Sequence, residues 1–402
     1  MTDSWILAGA RVARGPDEAE KLDLEISSGR IRAISRSIAR RRNACCLNLE
    51  GCLILPGLIN AHDHLEFNLM PRLGHGPYRS SKDWARDIYH PDKSPVKEHL
   101  SVSLATRLWW GGVKNLLSGV TTVCQHNPYY PRIFTRNFAV RIPRRYAWAH
   151  SLEFSPDLRE RFRQSPRHWP FILHLGEAVN RKGKREILQL EALGALDHRT
   201  VLVHAVALGP RGLQLARKTG ASIVWCFTSN TFILGKTLSE RAHKSGIPIA
   251  LGTDSAMSGI GDLLDEIRFA HRACRIAASR LYGMVTGDAA RILRLQNGEG
   301  ALIQGGVADL FVVKDSGRTP ADALLKLHAG EMELVFAGGE VKLASPDRFE
   351  QLPIASRRAM HQLEINGKRR RVFIAADLPA LFREAEPLLG SLRLAHKKVR
   401  LL

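Results

Sequence analysis

Short runs that alternate apolar and polar residues mark both ends of the chain. WILAGARVARG and LDLEISSGRIRAISRSI, broken by Gly and Ser-Gly turns, predict short strands with one buried face. The same pattern returns late in the chain, in ADLFVV and LVFAGGEVKLA. We expect these two β-rich pieces, 1–55 and 300–350, to join into one small β-sandwich domain.

The middle of the chain, 56–299, changes to apolar runs that alternate with amphipathic helical stretches such as VKEHLSVSLATRLWWGGVKNLLSG. Strands are predicted in seven runs: CLILPGLIN, GVTTVCQ, RRYAWAH, PFILHLGE, TVLVHAV, ASIVWCF and IPIALGTD. This alternation predicts an α/β fold, a (β/α)₈-like barrel of the TIM type. A closed barrel needs an eighth strand, and the gap lies between residues 146 and 171, where only SPDLRERFRQ fits a helix. We therefore expect one reduced βα unit, the fourth.

Composition and charge narrow the class of protein. The 402 residues are 45% hydrophobic, enough for a sizeable core, and no run of 18 apolar residues predicts a membrane span. Six cysteines form no C-x-x-C pair, and the N-terminus shows no signal-peptide pattern, so we expect reduced thiols and a cytoplasmic location.

The net charge is +20, from 59 basic and 39 acidic residues. Such an excess favours contact with nucleic acid, acidic membranes or anionic substrates, although a solvated basic surface explains it more simply. A basic C-terminal extension, 351–402, includes GKRRRVF and receives no predicted role. No aromatic residues alternate with its charges, as a platform for stacking bases would require.

Histidines and acidic residues stand at the C-terminal ends of the predicted strands. In a parallel barrel these ends share one face, where active sites lie, so residues far apart in sequence converge. The positions concerned are His62, His64, His126, His174, Glu177, His204 and Asp254.

These residue types suit a catalytic metal ion. His62 and His64 are two apart on a strand, so both side chains face one side and can bind one ion. Neutral imidazoles and a carboxylate bind Zn²⁺ or Fe²⁺ and leave a position open for water, whose pKa the ion lowers to about 7. One H-x-H alone is a weak signal, since a single histidine at a strand end is usually a packing residue. Five strand ends that each carry a histidine or a carboxylate together predict a metal site.

The chain resembles the amidohydrolase superfamily. The resemblance rests on PGLINAHDHL, GVTTV, HLGEA, VLVHAVAL, WCFTSNTFILG, IALGTDS and GVADLFVV, which occur in the order usual for that family. Within it, the sequence is most similar to the cytosine deaminase, guanine deaminase and chlorohydrolase group. The resemblance implies a metal-dependent hydrolase on a (β/α)₈-like barrel, with a small β-sandwich built from both termini.

The resemblance also implies roles for individual residues. One divalent ion, Zn²⁺ in preference to Fe²⁺, would be held by His62, His64, His174 and Asp254. Glu177 would protonate a ring nitrogen of the substrate and His204 would stabilise the developing oxyanion, while Asp254 would also accept a proton from water. No lysine ends a predicted strand, which favours one ion over two.

Other residues are candidates for contact with substrate. His126 could face the cavity or simply pack, and Asn230 in FTSN could line the pocket or form a local turn. The long segment 66–93, here called the lid segment, follows the first barrel strand and carries Tyr78, Trp84 and Arg86. Its basic residues could favour an anionic substrate, or could simply be exposed charge.

The sequence thus favours a hydrolase of carbon–nitrogen bonds other than peptide bonds, of the deaminase type, acting on a small N-heterocycle. One alternative opens a cyclic amide or removes chloride or an alkylamine from a heterocycle. A second is a basic scaffold without catalysis that binds nucleic acid or acidic membrane. The chain could also form homo-oligomers through its end domain.

Overall fold

A computed structural model describes residues 4–41, 43–365 and 370–402, so the first three residues of GKRRRVF, Gly367, Lys368 and Arg369, lie outside the described residues. Within these ranges the strands are β1 (Ser4–Ala13), β2 (Ala19–Ser27), β3 (Arg30–Ser35), β4 (Cys45–Asn48), β5 (Cys52–Pro56), β6 (Leu58–Asp63), β7 (Val120–Gln125), β8 (Ala147–Ser151), β9 (Phe171–Leu175), β10 (Thr200–His204), β11 (Ser222–Trp225), β12 (Ile249–Leu251), β13 (Leu310–Lys314), β14 (Leu334–Ala337), β15 (Glu340–Ala344), β16 (His361–Ile365), β17 (Arg370–Ile374), β18 (Arg393–Leu394) and β19 (Lys397–Leu401).

A 3₁₀ helix, Leu65–Phe67, follows β6. The α-helices are α1 (Ser81–Ile88), α2 (Val96–Ser101), α3 (Leu104–Leu116), α4 (Leu158–Gln164), α5 (Arg181–Ala192), α6 (Pro210–Thr219), α7 (Phe227–Leu234), α8 (Glu240–His243), α9 (Leu263–Cys274), α10 (Ala278–Met284), α11 (Gly287–Ile292), α12 (Pro320–Lys326), α13 (Pro346–Phe349), α14 (Ile354–Arg357) and α15 (Leu378–Leu389). None of these described helices has the length and apolar character needed to cross a membrane.

The two ends of the chain form one mixed sheet. Its order is β18-β19-β16-β17-β15-β14-β13-β5-β1-β2-β3, with β4 beside β1. The N-terminal and C-terminal pieces meet where β5 pairs antiparallel with β13, from Cys52 opposite Lys314 to Pro56 opposite Leu310. Strands β16 to β19 belong to the C-terminal extension, so its described residues lengthen this sheet. The division into domains at 1–55 with 300–350, 56–299 and 351–402 stays a prediction.

The barrel strands are parallel and lie in two sheets, β12-β11-β10-β9-β8 and β6-β7. The residues of β6, β9 and β10 are buried on both faces, as expected where helices cover a parallel sheet, whereas β8 is mostly half-buried. The ends of β12 and β6 meet at the carbonyl oxygen of His62, which accepts hydrogen bonds from the backbone N–H groups of Thr253 (3.0 Å) and Asp254 (3.1 Å). This junction brings the first and last barrel strands together.

The reduced βα unit lies elsewhere than predicted. Strand β8, helix α4 and strand β9 form a complete unit with β8 and β9 paired, so nothing is missing between residues 146 and 171. The gap is between β7 and β8, where the described residues 126–146 form no strand or helix. A single parallel bridge joins Arg141 to Thr122 there. The AVRI run around it is too short to signal a strand, because Pro143 follows it directly and cannot donate to a ladder.

The C-terminal extension packs against the barrel. Helix α15 lies on α2 and α3, and Glu384 accepts hydrogen bonds from the backbone N–H of Ser103 (2.7 Å) and the hydroxyl of Thr106 (2.5 Å). From β19, the Lys397 ammonium donates to Asp262 at 2.7 Å. Asp262 caps helix α9, which follows the loop after Asp254. The extension is therefore in contact with the face of the barrel that carries the candidate site.

Candidate metal centre and catalytic site

Two imidazoles project from the end of the first barrel strand. His62 is fully buried at the end of β6, and His64 follows it at the start of the 3₁₀ helix. Gly252, beyond β12, lies so close to β6 that an added Cβ would be 2.8 Å from the His62 Cβ and 2.9 Å from the His62 nitrogen. Only glycine permits this approach, and it fixes the position of the His62 backbone.

The third imidazole comes from β9. His174 Nε2 lies 3.2 Å from His62 Nε2, and the ligand atoms of His62, His64 and His174 all lie within 4.8 Å of one another. Residues about 110 positions apart in the chain thus converge, as the strand-end pattern predicted.

The protonation of these rings fits a cation. His174 Nδ1 donates to the carbonyl oxygen of His150 (2.8 Å), which leaves the lone pair of Nε2 free. Burial lowers the pKa of His62 to about 4 and holds the pKa of His174 well below its usual value, so both rings are neutral at pH 7. Neutral imidazoles whose nitrogens converge in a buried space are the donor set that a divalent transition-metal ion takes.

Asp254 lies beside this cluster, just after β12, with a left-handed backbone (φ 55°). Its Oδ1 is 3.7 Å from His62 Nε2 and 3.5 Å from His64 Nε2, while Oδ2 accepts hydrogen bonds from the hydroxyls of Ser229 (2.7 Å) and Ser258 (3.1 Å). Burial opposes its ionisation, but the interaction with the nearby His62, His204 and His64 outweighs it, so the pKa of Asp254 is well below its usual value. Asp254 is therefore an oriented carboxylate.

Glu177 and His204 form a second pair in the same site. Glu177 Oε2 lies 3.6 Å from His204 Nε2, and Glu177, His204 and Asp254 offer ligand atoms within 4.8 Å of one another. Burial raises the pKa of Glu177 to about 7, so the carboxyl group holds its proton far more readily than a solvated one. The Asn230 side-chain oxygen accepts a hydrogen bond from His204 Nδ1 (2.8 Å), which directs Nε2 towards Glu177.

A cavity of about 510 Å³, here called the catalytic cavity, opens on Glu177 of this pair. Its wall includes His174, Glu177 and, from the lid segment, Arg79, Lys82 and Arg86. Four basic and four acidic side chains line it, so its wall gives no net preference for an anion: Arg79, Lys82, Arg86 and Lys182 against Asp83, Glu153, Glu177 and Glu186.

The structure places the weaker sequence candidates as follows. His126 is buried, with its ring centroid 4.1 Å from that of His174, and neither ring nitrogen has a hydrogen-bond partner among the described residues. Asn230 contacts His204 and is not part of the cavity wall. Trp84 donates its indole N–H to the Leu73 carbonyl oxygen (2.9 Å) and packs within the lid segment, also away from the cavity wall. Tyr78 hydrogen-bonds Asp87.

Sequence reasoning missed His150, whose carbonyl orients His174. The same signal would have found it, because His150 ends the predicted strand RRYAWAH. It also missed a buried network beneath the candidate metal ligands, in which Asp63 accepts hydrogen bonds from Asn60, Asn68, Asn115 and Thr253. Lys114 from α3 is 2% exposed and donates to Asn68 (2.8 Å), with its ammonium 3.4 Å from Asp63.

Comparison with known proteins shows which proteins this chain is similar to. The sequence profile of the Amidohydrolase family matches residues 172–342. The 5-methylthioadenosine/S-adenosylhomocysteine deaminase of Syntrophobacter fumaroxidans is 26% identical over 353 residues, which cover 72% of this chain and 78% of the relative. The 5'-deoxyadenosine deaminase of Methanoregula boonei is 31% identical over 190 residues, 42% of this chain and 41% of the relative.

Solved structures share the fold. An atrazine chlorohydrolase from Arthrobacter aurescens TC1, complexed with zinc, superimposes with a TM-score of 0.68 at 19% identity, over 96% of this chain and 100% of that one. A zinc-bound adenosine deaminase from Xanthomonas campestris gives 0.68 at 17% identity, over 96% and 97%.

The fold and site define a barrel enzyme of the metal-dependent hydrolase class, and the predicted fold class is confirmed. More narrowly, the match of residues 172–342 to the Amidohydrolase family profile and the similarity to the deaminases agree with the resemblance to the amidohydrolase superfamily that its motifs indicate. A divalent metal site is supported by His62, His64 and His174.

Proposed function

We propose that this protein hydrolyses a carbon–nitrogen bond of an N-heterocycle and releases ammonia, with an adenosine derivative as substrate. One observation carries the proposal: three imidazole nitrogens converge beside a Glu177–His204 pair, and Glu177 of that pair lines the catalytic cavity. The deaminases to which the chain is similar support an aminated purine nucleoside as the class of substrate.

One divalent ion fits the donor set His62, His64, His174 and Asp254, and we propose zinc, which takes nitrogen and carboxylate ligands of this kind. When bound, the ion supplies Lewis acidity for the activation of water at neutral pH. Asp254, held in place by Ser229 and Ser258, completes the set with its Oδ1.

The protein's own residues move the protons. With its pKa near 7, Glu177 donates a proton to a ring nitrogen of the substrate, which makes the adjacent carbon more electrophilic. Water adds to that carbon and gives up a proton to Asp254. The carbon–nitrogen bond then breaks as Asp254 passes this proton to the amino group and the remaining hydroxyl proton returns to Glu177, so substrate and water become the oxo product and ammonia. His204, oriented by its hydrogen bond to Asn230, is the residue that we propose contacts the reacting oxygen.

The metal site is tested by elemental analysis of the purified protein and of the double variant His62→Ala with His64→Ala. We expect about one zinc ion per chain in the native protein and almost none in the variant. A control variant, His90→Ala with His168→Ala, removes two exposed histidines and should keep its metal. Two ions per chain would point to a bridging ligand and contradict a site for one ion, whereas no metal after reconstitution would overturn the mechanism.

The reaction is tested by measuring ammonia release from adenosine, 5'-methylthioadenosine, S-adenosylhomocysteine, guanine and cytosine, with atrazine as a chloride-releasing alternative. We expect ammonia from the adenosine derivatives in the native protein and none above background in the His62→Ala, His64→Ala variant. Chloride release from atrazine without ammonia release from any amine would replace deamination with the chlorohydrolase alternative.

A further inference from the structure

A second cavity, of about 580 Å³, lies apart from the catalytic cavity and shares no lining residue with it. It occupies the gap left by the reduced third βα unit, between Thr122 of β7, the connecting segment 126–146 and the β14–β15 hairpin. Arg144 and Arg145 in its wall directly precede β8. The cavity therefore lies towards the N-terminal ends of the strands, opposite the catalytic face. We call it the basic cleft.

The wall of the basic cleft is strongly positive. Glu299 is its one acidic side chain, against six basic ones: Arg136, Arg141, Arg144, Arg145, Arg294 and Lys342. Buried carboxylates neutralise part of this charge, since Arg141 forms ion pairs with Glu299 (3.0 Å) and Asp309 (2.6 Å). Arg136 and Lys342 share Glu340. Three carboxylates thus face six cations, which leaves an excess of three positive charges.

The excess resides on Arg144, Arg145 and Arg294. In the part of the chain that the structure describes, none of the three forms an ion pair with a carboxylate. Each is instead held by a neutral acceptor: Arg144 by the Tyr129 hydroxyl (2.8 Å), Arg145 by the Gln296 side chain (2.8 Å) and Arg294 by the His198 carbonyl (2.7 Å). The guanidinium groups are therefore positioned, yet keep their charge and spare N–H donors.

We propose that the basic cleft binds a small organic polyphosphate, such as a nucleoside diphosphate or triphosphate. Guanidinium groups match phosphate oxygens in geometry as well as charge, and three uncompensated charges complement a polyphosphate. The volume suits one small molecule, whereas a nucleic acid strand follows an extended basic groove. The catalytic cavity, with equal numbers of basic and acidic side chains, lacks this excess.

Isothermal titration calorimetry on the metal-loaded protein tests the cleft with pyrophosphate, ADP and ATP as ligands. We expect binding at about one ligand per chain. The double variant Arg145→Gln with Arg294→Gln should weaken binding at least tenfold. The matched control, Arg211→Gln with Arg217→Gln, removes the same charge from the exposed surface of α6 and should stay within twofold of the native protein.

Three results would overturn the proposal. The first is absence of binding by all three ligands. The second is equal affinity in the cleft variant and the control, which would place the ligand on general surface charge or on the metal ion. The third is tighter binding of an RNA oligonucleotide that displaces pyrophosphate. If the double variant does not fold, by circular dichroism, Arg144→Gln takes its place. Because binding is measured directly, the outcome is independent of whether the protein is a deaminase.

Discussion

The Glu177 carboxyl group sits where burial and the neighbouring His204 act on its pKa in opposite directions. Burial is the larger effect and raises the pKa to about 7. The protonated form, which can act as an acid, is therefore dominant below about pH 7 and is lost as the pH rises through that value. In a solvated glutamate, the protonated form would already be almost absent at about pH 5 to 6.

We predict that the rate of deamination falls as pH rises through about 7, and that Glu177→Gln lowers kcat by about 10²- to 10⁴-fold. Metal content should not change, because Glu177 is outside the proposed set of ligands. As a control, Glu191→Gln changes an exposed glutamate of α5 and should leave the pH profile unchanged. A Glu177→Gln enzyme with the native pH profile would assign the acid role to another group.

For individual residues, it is possible to say which ones the sequence predicts and which ones only the structure reveals. The convergence of the histidines in the candidate metal site could be predicted because each lies at or next to the end of an apolar strand. Ser229 and Ser258 could not, since a hydroxyl that orients a carboxylate looks like any other serine in a sequence. Lys114 carries a faint signal, a charged residue within the otherwise apolar run of α3, but only the fold reveals Asp63 and Asn68 as its partners.

At the scale of elements, the junction between β12 and β6 sets the geometry of the metal site. Because Gly252 lies so close to β6, the His62 carbonyl oxygen accepts hydrogen bonds from the backbone N–H groups of the next two residues, Thr253 and Asp254. A side chain at this position must push the two strands apart. The displacement would act on His62 and on Asp254 together, since both are anchored at the junction.

We predict that Gly252→Ala lowers the free energy of unfolding by about 1–3 kcal/mol, the range for overpacking a close-packed interior. It should also reduce bound metal, measured by elemental analysis of the folded fraction. Gly287→Ala is the matched control, because a Cβ there meets no atom within 4 Å. Native metal content together with native thermal stability in Gly252→Ala would show that the junction does not position the ligands.

The reduced third unit shows why the number of barrel strands was easier to predict than the position of the missing strand. Seven apolar runs gave seven barrel strands, since each run is long enough to be recognised. The sequence predicts the missing strand between residues 146 and 171, because only the short helix α4 fits that stretch. The residues that replace the third unit, 126–146, contain Tyr129, Phe134 and Phe138, whose aromatic packing fills the space without regular structure. Tertiary packing of this kind leaves no periodic signal.

At the scale of the whole molecule, the structure shows where part of the excess positive charge is concentrated. The sequence showed an excess of basic residues spread over the chain, without a site. In the structure, the basic cleft concentrates uncompensated arginines in one cavity, whereas the catalytic cavity is balanced. Net charge alone could not distinguish these two places, because it ignores which cations already have carboxylate partners.

The C-terminal extension connects the large sheet to the catalytic face through Lys397. Its ammonium is 2.7 Å from Asp262 and 3.3 Å from Asp265, and Asp262 is only 1% exposed. Asp262 also caps α9 through its other oxygen, so its position matters to the loop that follows Asp254. A carboxylate this deeply buried depends on a charged partner.

We predict that Lys397→Met lowers the free energy of unfolding by about 1–3 kcal/mol, as for the loss of a hydrogen bond to a charged group that remains buried. Denaturant unfolding measures this change, and Lys398→Met, at a neighbouring lysine without an ion pair among the described residues, serves as the control. Because the extension touches the loop after Asp254, Lys397→Met should also raise KM more than it lowers kcat. Equal free energies of unfolding for Lys397→Met and Lys398→Met would contradict this prediction. They would mean that apolar contacts hold the extension against the barrel and that the Asp262 carboxylate does not need the Lys397 ammonium.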